Sequence, residues 1–248
     1  MISLNIQKFK VIEVFMDFST FLEEISKKKI AVFTVRDAAR ITGKNAEYCK
    51  LFLSRLAKRG KILRIERGKY CLKNADLYEV ASNLAFPSCI SFLSALSFHG
   101  ITTQIPYEVQ VACSRQKKPV EFGNARIVFV KMKKRAIFGF VRHGNAFVAE
   151  PEKAIIDCLY LPGMAPVPEV FYALKQKEMS LQKLEKYAGR LDSAVVKKRL
   201  GYLLEKAGIR TGLIGRKLNY KMDALNPLLP KKGERNAKWR IIVNEVLE

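Results

Sequence analysis

The 248-residue sequence predicts an α+β protein in two parts, a small helical unit closed by a hairpin and then a larger mixed α/β unit. Three observations predict this. Residues 11–59 hold three helical patterns punctuated by capping residues and glycines. Two short, basic strand patterns follow at once. Beyond Leu72, helical and strand patterns alternate over enough chain to build a second core.

The first pattern, VIEVFMDFSTFLEEIS (11–26), places Val11, Val14, Phe15, Phe18, Leu22 and Ile25 at helical spacing, and Lys27–Lys29 suit the negative end of that helix. Thr34 stands three residues before Asp37, a variant of the capping box, and opens a short helix that stops at Gly43. Asn45 is the expected cap of a third helix running to Arg59, with Gly60 where a left-handed residue ends a helix. On a helical wheel, Ala46, Cys49, Phe52, Leu53, Leu56 and Ala57 share the core face. Lys44, Glu47, Tyr48, Leu51, Ser54, Arg55 and Lys58 share the other. KILRI and YCL then read as strands joined through Glu66-Arg67-Gly68-Lys69. Helix, helix, turn, helix and hairpin is the order of a winged helix-turn-helix. The predicted division is residues 1–80 for this DNA-binding unit and 81–248 for the remainder.

In the remainder, NADLYEVASNLAFPS predicts a connecting helix and SFLSALSFHG a short apolar helix ending at Gly100. YEVQVAC and ARIVFVKM read as strands, and FGFVRHGNAFVA as two strands about a Gly144-Asn145 turn. In AEPEKAIIDCLYLP, Pro151 suits the first helical position and Pro162 closes the helix, while Glu150 and Glu152 suit its positive end. Two or three amphipathic helices are expected between Val167 and Ile209.

The formal net charge of +22 points to a polyanionic partner, and every third of the chain has an excess of Lys and Arg, which excludes a basic tail on a neutral domain. No apolar run approaches the roughly 20 residues that span a bilayer, and MISLNIQKFKVIEVF lacks a signal-peptide pattern, so a cytoplasmic location is expected. Cys49, Cys71, Cys89, Cys113 and Cys158 form no C-x-x-C pair and are joined by only two histidines, so they read as buried small hydrophobes, with no metal and no cofactor expected.

Motifs for catalysis are missing. Gly68-Lys69 fails as a phosphate loop because Gly60 stands at the wrong distance and Tyr70 follows. There is no G-x-S-x-G, H-E-x-x-H or dinucleotide fingerprint. His99 reads as a packed or capping residue. Only Glu150, Glu152, Asp157 and His143 offer polar groups for an unrecognised site, so no enzymatic activity is expected.

For a third helix in a major groove, Lys44, Asn45, Glu47 and Tyr48 are the candidate base readers, with Leu51 available to a thymine methyl or covered by the second domain, the latter preferred. Candidate phosphate contacts are Thr34 and Arg36 at the second helix, Arg55 and Lys58 on the third, and Arg64, Arg67 and Lys69 on the wing. Arg190, Lys197, Lys198, Arg199, Arg210, Arg216 and Lys217 would continue the anionic track or serve RNA or a protein surface. Two rival readings are an RNA-binding module, although YCL with ARIVFVKM offers few exposed aromatics for stacking, and a nucleic-acid-modifying enzyme built on the Glu150, Glu152, Asp157 and His143 groups.

Three stretches in order, SFLSALSFHGI, VRHGNAFVAEPEKAIIDCLYLP and NPLLPKKGERNAKWRIIVNEVLE, following the winged-helix pattern, resemble the AbiEi family of bacterial and archaeal regulators, the antitoxins of AbiE-type (type IV) toxin-antitoxin systems. The resemblance spans nearly the whole chain. It implies an N-terminal domain that binds double-stranded DNA at its own operator and represses its own operon. It also implies a C-terminal antitoxin domain and a nucleotidyltransferase-like toxin counteracted without a stable complex. A stand-alone winged-helix regulator, or an RNA-binding protein, without a toxin partner is the alternative. The hydrophobic lead-in over residues 11–26 is longer than the resemblance leads one to expect.

Overall fold

The computed structural model describes residues 18–176, 179–212 and 218–247. Helix α1 (Phe18–Lys27) buries Phe21 and Ile25; the predicted positions Val11, Val14 and Phe15 lie outside the described residues. Strand β1 (Phe33–Thr34) leads into α2 (Val35–Thr42), where Thr34 and Asp37 form the reciprocal capping box and Gly43 closes the helix at φ 70°. Helix α3 (Ala46–Lys58) is capped by Asn45, whose side chain accepts the Tyr48 N–H at 2.8 Å. Strands β2 (Ile62–Glu66) and β3 (Lys69–Leu72) form the wing, and β1 pairs with β3. The hairpin turn is tighter than the four residues expected: Glu66 and Lys69 are already paired, leaving Arg67 and Gly68 (φ 76°) at the tip.

These elements share a small core in which Phe21 meets Phe33 and Phe52 edge-on and Cys49, Leu53, Leu56 and Ile62 fill the remainder. The core face predicted for α3 is the buried one, except that Ala46, in the first turn, is exposed.

Helix α4 (Leu77–Asn83), capped by Asp76, follows. Its Val80 and Ala81 are buried in a second, larger core, so the predicted division at 80/81 falls inside a helix that packs with the second unit. A six-stranded mixed sheet organises that unit. Its members are β4 (Ser88–Ile90), β5 (Glu108–Cys113), β6 (Val120–Phe122), β7 (Ala125–Lys131), β8 (Phe140–His143) and β9 (Ala146–Ala149), in spatial order β6-β7-β5-β4-β9-β8. Helix α5 (Phe92–Phe98) connects β4 to β5. Strands β5 and β7 run parallel, with Cys113 opposite Lys131.

Helix α6 (Pro151–Tyr160) is buried at every position from Glu152 to Leu159, as an all-round core helix must be. Around it stand α7 (Val167–Leu174), α8 (Leu181–Leu191) and α9 (Ala194–Lys206). Strands β10 (Asp223–Ala224), β11 (Glu234–Asn236) and β12 (Ile241–Val243) make a small terminal sheet over α9, with Trp239 fully buried.

All five cysteines are free and buried, as expected, and burial pushes the thiols of Cys71 and Cys89 up to about 12, far from reactive thiolates. Two expectations for the basic residues near the C-terminus are corrected. Lys198 is fully buried, donating to Asn219 Oδ1 (2.6 Å), Asp223 Oδ2 (2.7 Å) and the Lys221 carbonyl. Arg199 is buried too, donating to the carbonyls of Leu159 and Ala224. Neither reaches a polyanion, because α9 turns them toward the terminal segment. Lys197 pairs with Asp192, Arg190 lies 4.1 Å from the Phe138 ring centre, and Arg210 is exposed. Arg216 and Lys217 lie outside the described residues.

Candidate nucleic-acid interface

The wing and the outward face of α3 adjoin, and their side chains divide by what already holds them. On α3, Glu47, Leu51, Arg55 and Lys58 are exposed, and among the described residues no ion pair or side-chain hydrogen bond engages the three charged ones. Leu51 is 61% exposed, so the preferred expectation that the second domain covers it is corrected: α4 turns instead onto β4 and β9. Tyr48 is 37% exposed and stacks on Phe52 with ring centres 6.1 Å apart, presenting a fixed edge. The Asn45 carboxamide oxygen is taken by the cap. Lys44 is half-buried, its backbone N–H donating to Thr42 Oγ1 at 3.3 Å.

Among the predicted phosphate contacts, Arg36, Arg64 and Arg67 are exposed, with Arg67 at the wing tip. Thr34 is committed to the capping box, donating to Asp37 Oδ2 at 2.7 Å. Lys69 is held as well: its ammonium pairs with Glu66 at 2.8 Å and donates to the Leu84 carbonyl at 2.5 Å. Glu66 also binds Lys117 of the second domain. Burial pulls the Glu66 carboxyl upward, but the hydrogen bonds from Lys117 and Lys69 outweigh it and hold it below the usual carboxylate range.

The arrangement also exposes Lys50 on α3, Lys61 just before β2 and Leu63 on β2, which the sequence patterns did not single out. Lys50 was detectable from its wheel position at the margin of the outward face. Leu63 alternates outward from buried Ile62, a period-two signal too short to weigh in a five-residue strand.

The polar groups considered for catalysis are dispersed among structural partners. Glu150 accepts from Lys183 at 2.6 Å and from the Tyr187 hydroxyl, and Glu152 from the Ser180 N–H at 3.0 Å. Both stand at the start of α6 as expected, but their bonds run across to α8 and its cap. Asp157, fully buried, accepts from Ser91 at 2.7 Å and from Lys153. His99 ends α5 with Nε2 2.9 Å from the Ala149 carbonyl. Among the described residues no three His, Cys, Asp or Glu side chains could hold a metal ion, and no helix is long and apolar enough to cross a membrane.

Residues 21–73 match the family model described as transcriptional regulator, AbiEi antitoxin, and residues 89–206 match the AbiEi antitoxin C-terminal domain. The crystal structure of the RV2827C protein from Mycobacterium tuberculosis is similar in fold, with a TM-score of 0.60 over 90% of each chain at 12% identity. No curated protein matches the chain. With both family models met in order and together spanning well over half of its length, the chain belongs to the AbiEi family of antitoxins and transcriptional regulators.

Proposed function

We propose that the protein is a DNA-binding antitoxin that represses its own operon through the winged helix and counteracts a nucleotidyltransferase-like toxin through the second domain. The observation that carries the DNA role is the outward face of α3. Glu47, Leu51, Arg55 and Lys58 are exposed beside Arg64 and Arg67 of the wing, with caps and core contacts fixing the backbone beneath them. In this reading the α3 N-terminal half meets base edges, with Glu47 accepting from cytosine and Leu51 touching a thymine methyl, while Arg36, Arg55, Lys58, Arg64 and Arg67 hold phosphates.

The reading places the protein in the cytoplasm, without catalytic activity, and without a stable complex with the toxin. Its functional boundary lies between Leu72 and Leu77, after the wing and before α4. A footprint of the purified protein on its own upstream region tests the first half, with inverted half-sites expected. Co-expression with the neighbouring nucleotidyltransferase, scored by growth, tests the second. Affinity for the upstream DNA no better than for random duplex, or no protection, removes the corresponding half.

A further inference from the structure

The wing stands between two cores. In β2, Ile62 is buried in the small core of the winged helix, whereas Ile65 packs against the large core of the second domain. A bulge makes the change of side: Arg64 pairs with Tyr70 and Glu66 with Lys69, so Ile65 has no residue opposite it. Strand β3 divides the same way, because successive side chains point to opposite faces, and Tyr70 enters the small core while Cys71 enters the large one. The hairpin is therefore a wall shared by both domains, with β2 packed on β6 of the large sheet.

Polar contacts complete the attachment next to the tip. Glu66 immediately precedes the wing-tip Arg67, and its carboxylate accepts from Lys69 at 2.8 Å and from Lys117 in the loop after β5. Lys117 is steadied in turn, its ammonium lying 5.0 Å from the centre of the Phe129 ring on β7. Lys69 donates to the Leu84 carbonyl at the end of α4. One carboxylate thus joins both strands of the wing to the second domain, one residue away from an exposed guanidinium.

On charge alone Glu66 is badly placed for a DNA-binding wing. A carboxylate beside the tip repels phosphates, so its neutralisation should tighten binding. Its position in the clasp gives the opposite sign. A hairpin ordered before it meets DNA has less freedom to lose on binding, and a fixed hairpin holds its tip guanidinium in one direction. We propose that Glu66 is a positioning residue for DNA binding: by clasping Lys117 and Lys69 it fixes the wing against the second domain and aims Arg67 at the duplex backbone. Through this clasp the second domain sets how firmly the wing grips DNA. The proposal rests on the DNA-binding reading above.

The test measures binding of the full-length protein to a duplex from its own upstream region. Wild type is compared with E66Q, K117Q, R67A, E66Q/K117Q and E66Q/R67A, each below its melting temperature. E66Q is expected to bind about tenfold more weakly than wild type, the scale of one hydrogen bond to a charged group, although it carries one negative charge fewer. Its salt dependence should flatten by about 0.9, the contribution of one phosphate contact. In the K117Q background the same substitution should lose most of its effect, and in the R67A background all of it, because the clasp or its target is already gone. E66Q binding as tightly as wild type, or more tightly, overturns the proposal. An undiminished loss in either background does so too, since Glu66 would then act through something other than Lys117 and Arg67. Both results leave winged-helix binding itself standing. Failure of wild type to bind the duplex removes the DNA-binding reading and the proposal together.

Discussion

Gly201 and Trp239 occupy each other's space: the fully buried indole stands where a side chain at 201 would be, and a β-carbon there would overlap its six-membered ring. Trp239 Nε1 donates to Glu205 Oε2 at 2.6 Å, one turn further along α9. A mid-helix glycine costs about 1 kcal/mol relative to alanine, so helix propensity alone would favour replacement. The contact reverses that sign. Gly201→Ala is expected to destabilise by about 1–3 kcal/mol through overpacking, read by urea unfolding. Trp239 is the single tryptophan, so its emission should also shift red as the terminal segment lifts. A variant as stable as wild type with unchanged emission would contradict this packing.

Lys153 and Asp157 form an ion pair inside α6 with essentially no solvent exposure. Burial raises the Asp157 carboxyl above its usual range, although Lys153 and Ser91 pull it down. Lys153→Met should cost about 3–5 kcal/mol, since it leaves one buried polar partner behind, whereas Lys153→Met with Asp157→Leu should recover much of the loss. Chemical denaturation of the three proteins decides it. A double variant as unstable as the single would show that the pair matters for more than mutual compensation.

The Glu66 clasp predicts a pH dependence. Its carboxyl is held below the ordinary value of 4.5, so the native state takes up the proton less readily than the unfolded chain. The resulting stability is fully present above the ordinary value and disappears as pH falls through the depressed one. Glu66→Gln should therefore melt below wild type at neutral pH, with the gap closing in acid. A gap that persists unchanged at low pH would assign the effect to packing instead.

Base and phosphate contacts should separate by sequence dependence. Arg67→Ala is expected to weaken all duplexes about equally, while Glu47→Ala should alter preference among operator variants by about 1–3 kcal/mol. Competition binding against a panel of single-base operator changes measures both. Uniform losses for both variants would remove α3 from base reading.

A fragment beginning at residue 74 should fold and protect cells, because it retains α4 with Val80, Ala81 and Leu84 in the large core. One beginning at residue 86 lacks those side chains and should be markedly less stable, as seen by proteolysis and thermal melting. Equal stability of the two would place α4 outside the functional unit.

Local signals made much of this protein legible in its sequence. Thr34 with Asp37, Gly43, Asn45 and Gly68 announced the winged helix, because caps and positive-φ turns are satisfied within a few residues. Pro151 and the Gly144-Asn145 turn did the same for α6 and the β8–β9 hairpin. What tertiary structure alone decided was which side chains remain available. Lys69 and Arg67 look alike in the sequence, yet one is held by Glu66 and the Leu84 carbonyl while the other is exposed at the wing tip. Lys198 and Arg199 read as surface charge until α9 turns them inward to Asp223 and buried carbonyls. Strands of two or three residues, such as β4 and β6, carry too few positions to show a period and exist because partners in the sheet pair with them. Burial and pairing depend on residues far away in the chain, and only the packed fold brings those neighbours within reach.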